Sequence, residues 1–246
     1  MEADRASARQ QLLEEGFTPQ LLAGLAHADP HVRWQIVDIL GTLADPRALD
    51  ALGGRARRDS DPHVRWRSLW ALSRVASPDR IVAAVAAGLG SDDPDEVWGT
   101  AVALSFFDST MALPRLHESV THLDPFRRWE AINSLGRVHD ATTPDVLRSV
   151  LHSPSARDRH EVVLTLGQIG GPKGNALLFE ALSDEEASVR WRAAMALSRS
   201  GTGDELETLR QVAETDADAQ VREHAAKAIS RIEQRHSDSR RAQQQF

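Results

Sequence analysis

The sequence predicts an all-α protein, a right-handed α-solenoid of about seven helix pairs. The first observation is a recurring stretch, HVRWQIVDIL at 31–40 and HVRWRSLWAL at 63–72, whose copies follow one another at steps of 31 or 32 residues. The second is that Pro, Gly and Asp, which stop or cap helices, separate the copies. The third is the absence of any long alternating strand pattern. Such a period is typical of repeat proteins, in which each unit packs only on its neighbours. The closing apolar residues of the seven copies are Leu40, Leu72, Leu104, Leu135, Leu166, Leu197 and Ile229.

The chain divides into a cap, a repeat region and a tail. Residues 1–17 read as an N-terminal capping helix that Gly16 is placed to end. Residues 18–233 hold the repeats. Residues 234–246 lose the period, are polar and contain a Gln run, so we expect a disordered tail. The first helices of the later pairs are predicted at 46–57, 78–89, 110–121, 142–152, 172–183 and 203–214.

Composition excludes several classes of function. The 246 residues carry a net charge of −7 and no Cys, so neither a disulfide nor a thiolate metal site is available. The first residues lack the apolar core of a signal peptide, and no apolar run could span a membrane, so we expect a cytoplasmic protein. The acidic balance disfavours a nucleic-acid partner. Only Lys173 and Lys227 are lysines against many Arg and Ala, a usage typical of a GC-rich bacterial genome.

Helical geometry sorts the recurring stretch into faces. With the Val of HVRW as position zero, positions 0, 4, 7 and 11 share the side that we expect to pack on the first helix of the pair. Positions 5 and 6 are expected to flank an exposed surface. Position 1 is Arg in six copies, and we expect ion pairs with the Asp-rich turns of neighbouring repeats; an anion-binding stripe is the alternative. The arginines are Arg33, Arg65, Arg128, Arg159, Arg190 and Arg222, and the turn residues are Asp29, Asp61, Asp124 and Asp184.

Position 2 lies opposite the core side and is Trp in five copies, with His160 in the fifth copy and Glu223 in the last. Second helices of such pairs line the concave surface of a solenoid. The sequence therefore predicts a Trp-lined concave groove that binds a protein or peptide segment, or an apolar small molecule. The alternative is that each Trp lies flat against a neighbouring helix and fills a gap. The predicted ligand-binding residues are Trp34, Trp66, Trp70, Trp98, Trp129, Asn133, Trp191 and Met195.

Position zero is charged in the three central copies, where Glu96, Arg127 and Asp158 stand in place of an apolar residue. These residues are either surface residues of the first helical turn or a distortion of the central groove. Departures from a local rule occur most often at functional sites.

The pattern DPHVRW…L…LADPRAL at 29–49 resembles the HEAT-like repeats of the phycobilisome-lyase type, and the resemblance covers about residues 18–233. It implies a solenoid in a family of scaffolds, lyase subunits and a few enzymes. Lyase-type members attach or detach tetrapyrrole chromophores, and they often work as pairs of related HEAT-like chains. The resemblance therefore implies a heterodimer with such a chain, or a homodimer. Some HEAT-like proteins are DNA glycosylases, but those need a cationic surface, whereas the inner positions here set Lys227 against Asp38 and Glu223.

The segment RHEVVLTLGQIG at 159–170 resembles one of the His-Glu repeats of deoxyhypusine hydroxylase, a HEAT-like enzyme. In that family, His-Glu pairs on several repeats hold two iron ions. His160 and Glu161 match one such pair, but the other copies lack theirs. A stable metal site needs three or four ligands, so we expect no metal and no cofactor.

Two functions are therefore predicted. The first is a HEAT-like binding scaffold with a Trp-lined groove. The alternative is a lyase-type enzyme or enzyme subunit that acts on a small molecule held in the groove, with His160, Asp38 and Glu130 as acid–base residues. A third interpretation of His160 is that it only contacts a ligand or water.

Overall fold

The computed structural model describes residues 16–138 and 140–243, and this part of the chain contains helices and no strand. The fold class is therefore all-α, a solenoid of helix pairs, as predicted. The fourteen α-helices of the described residues are α1 Thr18–Gly24, α2 Pro30–Leu43, α3 Leu49–Arg58, α4 Pro62–Val75, α5 Pro78–Ala86, α6 Pro94–Ser105, α7 Leu113–Ser119, α8 Pro125–Arg137, α9 Thr143–Leu151, α10 Ala156–Ile169, α11 Gly171–Ala181, α12 Ala187–Ser200, α13 Leu206–Thr215 and α14 Ala219–Gln243. Short 3-10 segments span Pro46–Ala48, Ala87–Gly90 and Thr110–Ala112.

Asp-Pro dipeptides start four of the second helices. The side chains of Asp29, Asp61, Asp93 and Asp124 each accept a hydrogen bond at 2.8–2.9 Å from the backbone N–H two residues on. The proline that follows occupies the first helical position, where no N–H is needed. The turn chemistry predicted from the sequence therefore sets where these helices begin.

The described residues form two compact units, which divide between Arg115 and Leu116. In the second unit the second helices pack in series, α8 on α10, α10 on α12 and α12 on α14, while α9 packs on α11 in the other layer. In the first unit α2 packs on α4, and α3 packs on α4 and α5. The helix α6 departs from this order because it packs against the first helix α3.

The closing Leu of the recurring stretch lies at the centre of the core in all six copies that have it. Position 5 is also buried in six copies, so the expectation that it borders an exposed surface is wrong. Ala226 of the seventh copy shows the reason: it is exposed, and no second helix follows α14 within the described chain. In the second unit, position 5 thus packs between successive second helices. The buried position-5 residues are Val37, Leu69, Ala101, Ile132, Val163 and Ala194.

The predicted core side is confirmed in the last copy, where Val221, Ala225, Ala228 and Ile232 are fully buried. In the first copy it holds only in part, because Ile39 is 45% exposed. The preceding helix α1 has only seven residues and contacts α2 at Ile36. It therefore does not cover Ile39, which lies about one helical turn further along α2.

Arginine at position 1 joins successive repeats, as predicted. Arg190 donates to both carboxylate oxygens of Asp216, at 2.7 and 2.9 Å, and to the carbonyls of Asp184 and Glu185 before its own helix. We call this arrangement, an Arg that bonds its own preceding turn and the Asp of the next one, a clasp. The bond from Arg190 is the main cause that lowers the pKa of Asp216.

The clasp recurs with the same chemistry. Its other Arg–Asp pairs are Arg33–Asp59, Arg128–Asp158 and Arg159–Asp184. Of the turn residues predicted as partners, only Asp184 is one. The others, Asp29, Asp61 and Asp124, accept from backbone N–H groups of their own helices, and in the turn of Asp61 the clasp uses Asp59 instead.

Charged residues at position zero also make ion pairs. Asp158 is buried and accepts from Nε of Arg128 at 3.0 Å. Glu96 accepts from Nε of Arg57 at 3.2 Å and from Oγ of Ser91 at 2.9 Å. Because Arg57 lies on α3, the Glu96 pair holds α6 against that helix.

A second reason why α6 does not pack on α4 is that Arg65 of α4 makes no clasp with the turn before α6. Arg65 donates to the carbonyl of Asp59 at 2.9 Å, but the clasp position 26 residues later is Ser91, which has no carboxylate. Gly99 then allows close approach, because a Cβ there would lie 2.0 Å from the carbonyl oxygen of Arg57. Glu96 and Gly99 together fit α6 to the C-terminal end of α3.

The C-terminal segment differs from the prediction. The expected disordered tail from residue 234 is wrong as far as Gln243, because α14 runs from Ala219 to Gln243. That span contains no Gly or Pro to stop a helix. Arg235 donates to the carbonyls of Ser198 and Gly201 at 2.6 and 2.8 Å, which fixes α14 against the end of α12.

The predicted capping helix lies mostly outside the described residues, which begin at residue 16. Gly16 has a φ of +75°, the conformation in which glycine commonly ends a helix. Among the described residues, no helix is both long enough and apolar enough to cross a membrane.

Candidate functional site

The side chains at positions 2, 3 and 6 of the second helices form what we call the second-helix face of each unit. Of the predicted ligand-binding residues, Trp66 and Trp70 are exposed, at 57% and 45%. The rest are half-buried: Trp34, Trp98, Trp129, Asn133, Trp191 and Met195. The Trp side chains therefore differ in access although they share one position of the repeat.

Trp34 is covered by the copy that follows it. The Arg67 guanidinium, at position 3 of that copy, lies 4.4 Å from the centre of the indole ring, and the His63 ring meets the indole edge-on at 6.0 Å. The indole N–H donates to Nδ1 of His31 at 3.1 Å. Trp34 thus follows the gap-filling alternative.

Trp191 is covered in the same way in the second unit. The ring of His224, again at position 3 of the following copy, stacks on the indole with ring centres 5.0 Å apart. Position 3 therefore supplies the cover, and its residue type decides how much of the preceding Trp remains open.

Trp66 stays open because the following second helix, α6, packs on α3 instead of on α4. Position 3 of the following copy is Gly99, which has no side chain and lies against the backbone of Arg57. Glycine at position 3 is the sequence signal for this departure, and position 2 alone does not contain it.

Trp70 lies one helical turn beyond Trp66 on the same side of α4, so the two side chains are neighbours. The Arg74 guanidinium is 5.0 Å from the Trp70 ring centre and also donates to the carbonyl of Gly41 at 3.0 Å. The Trp70 ring is therefore held beside α2 on one side, and its other side is exposed. We call Trp66 and Trp70 the aromatic patch.

The second unit holds a polar cluster around His160, which stands where other copies have Trp. Nδ1 of His160 lies 3.8 Å from Oε1 of Glu161. The other Glu161 oxygen accepts from Nδ2 of Asn133 at 3.4 Å, and Asn133 also donates to the carbonyl of Trp129 at 2.9 Å. The His-Glu pair is thus tied to the preceding helix, α8.

Two buried nitrogens of this cluster have no hydrogen-bond partner within the described residues, Nε2 of His160 and Nε of Arg192. The Arg192 guanidinium lies 4.4 Å from the Trp191 ring centre. Burial first, and then the positive charge of Arg192, lower the pKa of His160, while Glu161 opposes them. His160 is therefore a neutral imidazole near neutral pH.

The two other predicted acid–base residues have cationic neighbours. Asp38, in the first unit, forms an ion pair with Arg67. Glu130, in the second unit, lies near Arg137. Burial lowers the pKa of Arg137, and the negative charge of Glu130 opposes that shift. An acid–base role for Asp38 and Glu130 stays a prediction. Within the described residues, no group of three or more His, Asp or Glu side chains is placed to hold a metal ion.

Two cavities lie beside the first helices of the pairs, away from the second-helix face. In the second unit a cavity of about 550 Å³ is lined by Pro172, Asn175, Phe179 and Glu205, among others. In the first unit a cavity of about 260 Å³ lies between the end of α1 and α3. Neither is lined by residues of the aromatic patch or the His160 cluster.

The geometry of repeated helix pairs is matched by a comparison with known families. A family model of HEAT repeats matches residues 18–105 and 144–230, more than half of the chain. The chain belongs to the HEAT repeat family. This confirms the predicted resemblance at the level of the repeat, and the clasps are the ion pairs that join its HEAT repeats.

Relatives and structures similar to this HEAT repeat chain have different activities. The deoxyhypusine hydroxylase of Candida glabrata is 39% identical over 83 residues, which are 33% of this chain and 26% of that protein. The deoxyhypusine hydroxylase of Neurospora crassa is 31% identical over 114 residues, 45% of this chain and 35% of that protein. The chain thus spans about a third of these relatives or less. The solved complex of CpcE and CpcF of phycocyanin lyase, from a Nostoc species, is 17% identical with a TM-score of 0.45, over 87% of this chain and 94% of that chain.

Proposed function

We propose that this HEAT repeat chain is a binding scaffold whose second-helix face holds a segment of a partner protein. The observation that carries the proposal is the aromatic patch, two neighbouring Trp side chains of which about half remains exposed. Trp is the residue type most enriched among interface hot spots, because it buries a large apolar area with few rotatable bonds.

An extended protein segment suits the patch better than a small apolar molecule does. Small-molecule sites enclose most of their ligand, whereas Trp66 and Trp70 lie on the exposed side of a single helix. A segment laid across α4 would contact both rings, and Arg74 beside Trp70 offers hydrogen bonds to its carbonyl groups.

The test is selection of peptides from a random display library on the full chain, followed by affinity measurement on variants. The double variant Trp66→Ser, Trp70→Ser should bind the selected peptides at least about 30-fold more weakly, the effect of losing a hot-spot residue. Met111→Ser is the matched control, because Met111 is an equally exposed apolar side chain of the first unit. Equal affinity of the double variant and the control would refute the proposal.

A second candidate function is a lyase-type enzyme or enzyme subunit. It is favoured by the unpartnered Nε2 of His160 and by the similarity of part of the chain to deoxyhypusine hydroxylases. Here His160 would transfer a proton to or from a small molecule, with Glu130 as a carboxylate of the same unit, and a role for Asp38 of the first unit is tested separately.

Native mass spectrometry of freshly purified protein separates the two functions, since it reports a bound small molecule and the oligomeric state together. If a ligand is retained, His160→Ala and Asp38→Ala should each lower product formation by about a hundredfold or more. Unchanged product formation in both variants excludes this assignment. The same spectra test the predicted homodimer, and mixing with a related HEAT-like chain tests the heterodimer.

A further inference from the structure

The polar cluster of the second unit carries an inference about what part of a partner it recognises. Its two unpartnered nitrogens, Nε2 of His160 on α10 and Nε of Arg192 on α12, belong to helices that pack against each other. Buried polar groups nearly always have a hydrogen-bond partner, so two unsatisfied nitrogens in one cluster indicate a missing group.

The hydrogen-bonding character of the two nitrogens differs. Nε of Arg192 carries a hydrogen and can only donate. A neutral imidazole has one N–H and one bare nitrogen, and the Glu161 carboxylate beside Nδ1 favours the hydrogen on that side. Nε2 of His160 is then the bare nitrogen and can only accept. The cluster therefore offers one donor and one acceptor.

This pair selects the chemistry of the bound group. A carboxylate has two acceptors, so it would face the bare nitrogen unfavourably and would also lie near Glu161. A cation would be repelled by Arg192. A primary amide is uncharged and presents a carbonyl acceptor and an N–H donor along one edge, whereas in a trans peptide bond the two point in opposite directions.

We propose that His160 and Arg192 form a subsite for a primary amide, the Asn or Gln side chain of a bound protein segment. The amide carbonyl accepts from Nε of Arg192, and the amide N–H donates to Nε2 of His160. The stack on Trp191 holds the guanidinium in place, and the bond from Asn133 holds Glu161. This inference rests on the proposed function, because it names a polar group of a protein segment held on the second-helix face, here that of the second unit.

The test uses the full chain labelled with nitrogen-15 in its histidine rings. Long-range proton–nitrogen NMR spectra report which ring nitrogen carries the hydrogen, and a His160→Phe variant assigns the signal. The probe is N-acetylglycinamide, and its control is N-acetylglycine, which replaces the terminal amide by a carboxylate. We expect the hydrogen of His160 on Nδ1, and a saturable shift of Nε2 with the amide only.

Variants of α12 complete the experiment. Arg192→Met should weaken binding of N-acetylglycinamide by about tenfold or more, since a hydrogen bond from a charged donor is lost. Arg199→Met, an exposed arginine of the same helix, should leave it unchanged. Circular dichroism of both variants verifies that each is folded, and His160→Phe is an independent second test because it removes the acceptor instead.

Several results overturn the subsite. These are a His160 hydrogen on Nε2, equal shifts with the amide and the acid, or no saturable shift, which would leave only a bound water at the two nitrogens. If one of these results is found while peptide binding still depends on the aromatic patch, only the subsite is wrong. Loss of patch-dependent binding with an intact amide shift would refute the proposed function and keep the subsite.

Discussion

Replacing Gly99 with Ala tests whether a glycine contact holds α6 against α3. A Cβ at residue 99 would lie 2.0 Å from the carbonyl oxygen of Arg57, whereas real Cβ contacts essentially never fall below 3.0 Å. The oxygen belongs to the backbone of α3 and cannot rotate away, so α6 must withdraw by about 1 Å to make room.

The expected cost follows from two opposing terms. Overpacking a close contact costs about 1–3 kcal/mol, and Ala stabilises a helix over Gly by up to about 1 kcal/mol. A 2.0 Å approach to a backbone oxygen lies at the upper end of the overpacking range, about 2–3 kcal/mol, so Gly99→Ala should lower the free energy of unfolding by about 1–2 kcal/mol. In a chain of this size that corresponds to a fall in the midpoint of thermal unfolding of roughly 3–6 °C.

Urea unfolding followed by circular dichroism measures the effect. The control is Gly54→Ala on α3, whose Cβ would meet only the mobile guanidinium nitrogen of Arg58, at 3.2 Å. That variant should gain up to about 1 kcal/mol from helix propensity. If Gly99→Ala is as stable as the natural chain or more stable, the close approach does not hold α6 and the reasoning is refuted.

The remaining predictions concern the clasp, pH and the core. Arg190→Met leaves the Asp216 carboxylate poorly solvated and should cost about 3 kcal/mol in urea unfolding; a loss below about 1 kcal/mol would show that the clasp is a surface ion pair. A hydrogen bond from a neighbouring arginine lowers the pKa of Asp45 from 3.8 to about 2, so its stabilisation is complete above pH 3.8 and is lost as pH falls toward 2. The stability difference between the natural chain and Asp45→Asn should therefore shrink over that range, and a constant difference would contradict the assignment. Ala194→Leu should cost about 1–3 kcal/mol by overpacking, while Ala226→Leu at the same repeat position should change stability by less than about 0.5 kcal/mol, because Ala226 is exposed; equal effects would rule out position 5 as a packing position.

The fold was predictable because its determinants are local. The 31–32-residue period, the Asp-Pro caps and the helical faces all depend on residues within one or two turns of one another. The buried closing leucines and the position-1 arginines of the clasps follow from that spacing. The clasp carboxylates were less predictable, because each turn has more than one Asp or Ser and only backbone geometry decides which one caps the helix.

The candidate site was predictable only as a set of positions. Trp34 and Trp66 occupy the same position of neighbouring copies, and the sequence alone treats them alike. One lies under Arg67, and the other is open because α6, one repeat later, packs on α3 through Gly99. The Arg192 neighbour of His160 comes from the next repeat in the same way.

By itself the sequence determined the all-α repeat, the starts of the helices that follow Asp-Pro and which position of the repeat lies opposite the core. Tertiary structure alone decided which of those side chains are open, which helix α6 packs on, and which polar atoms lack a partner. The physical reason is how far apart in sequence the residues lie that decide each feature. A helical face is set by residues three or four apart, whereas the cover of a side chain comes from a residue about 30 positions away, on a helix whose placement depends on packing.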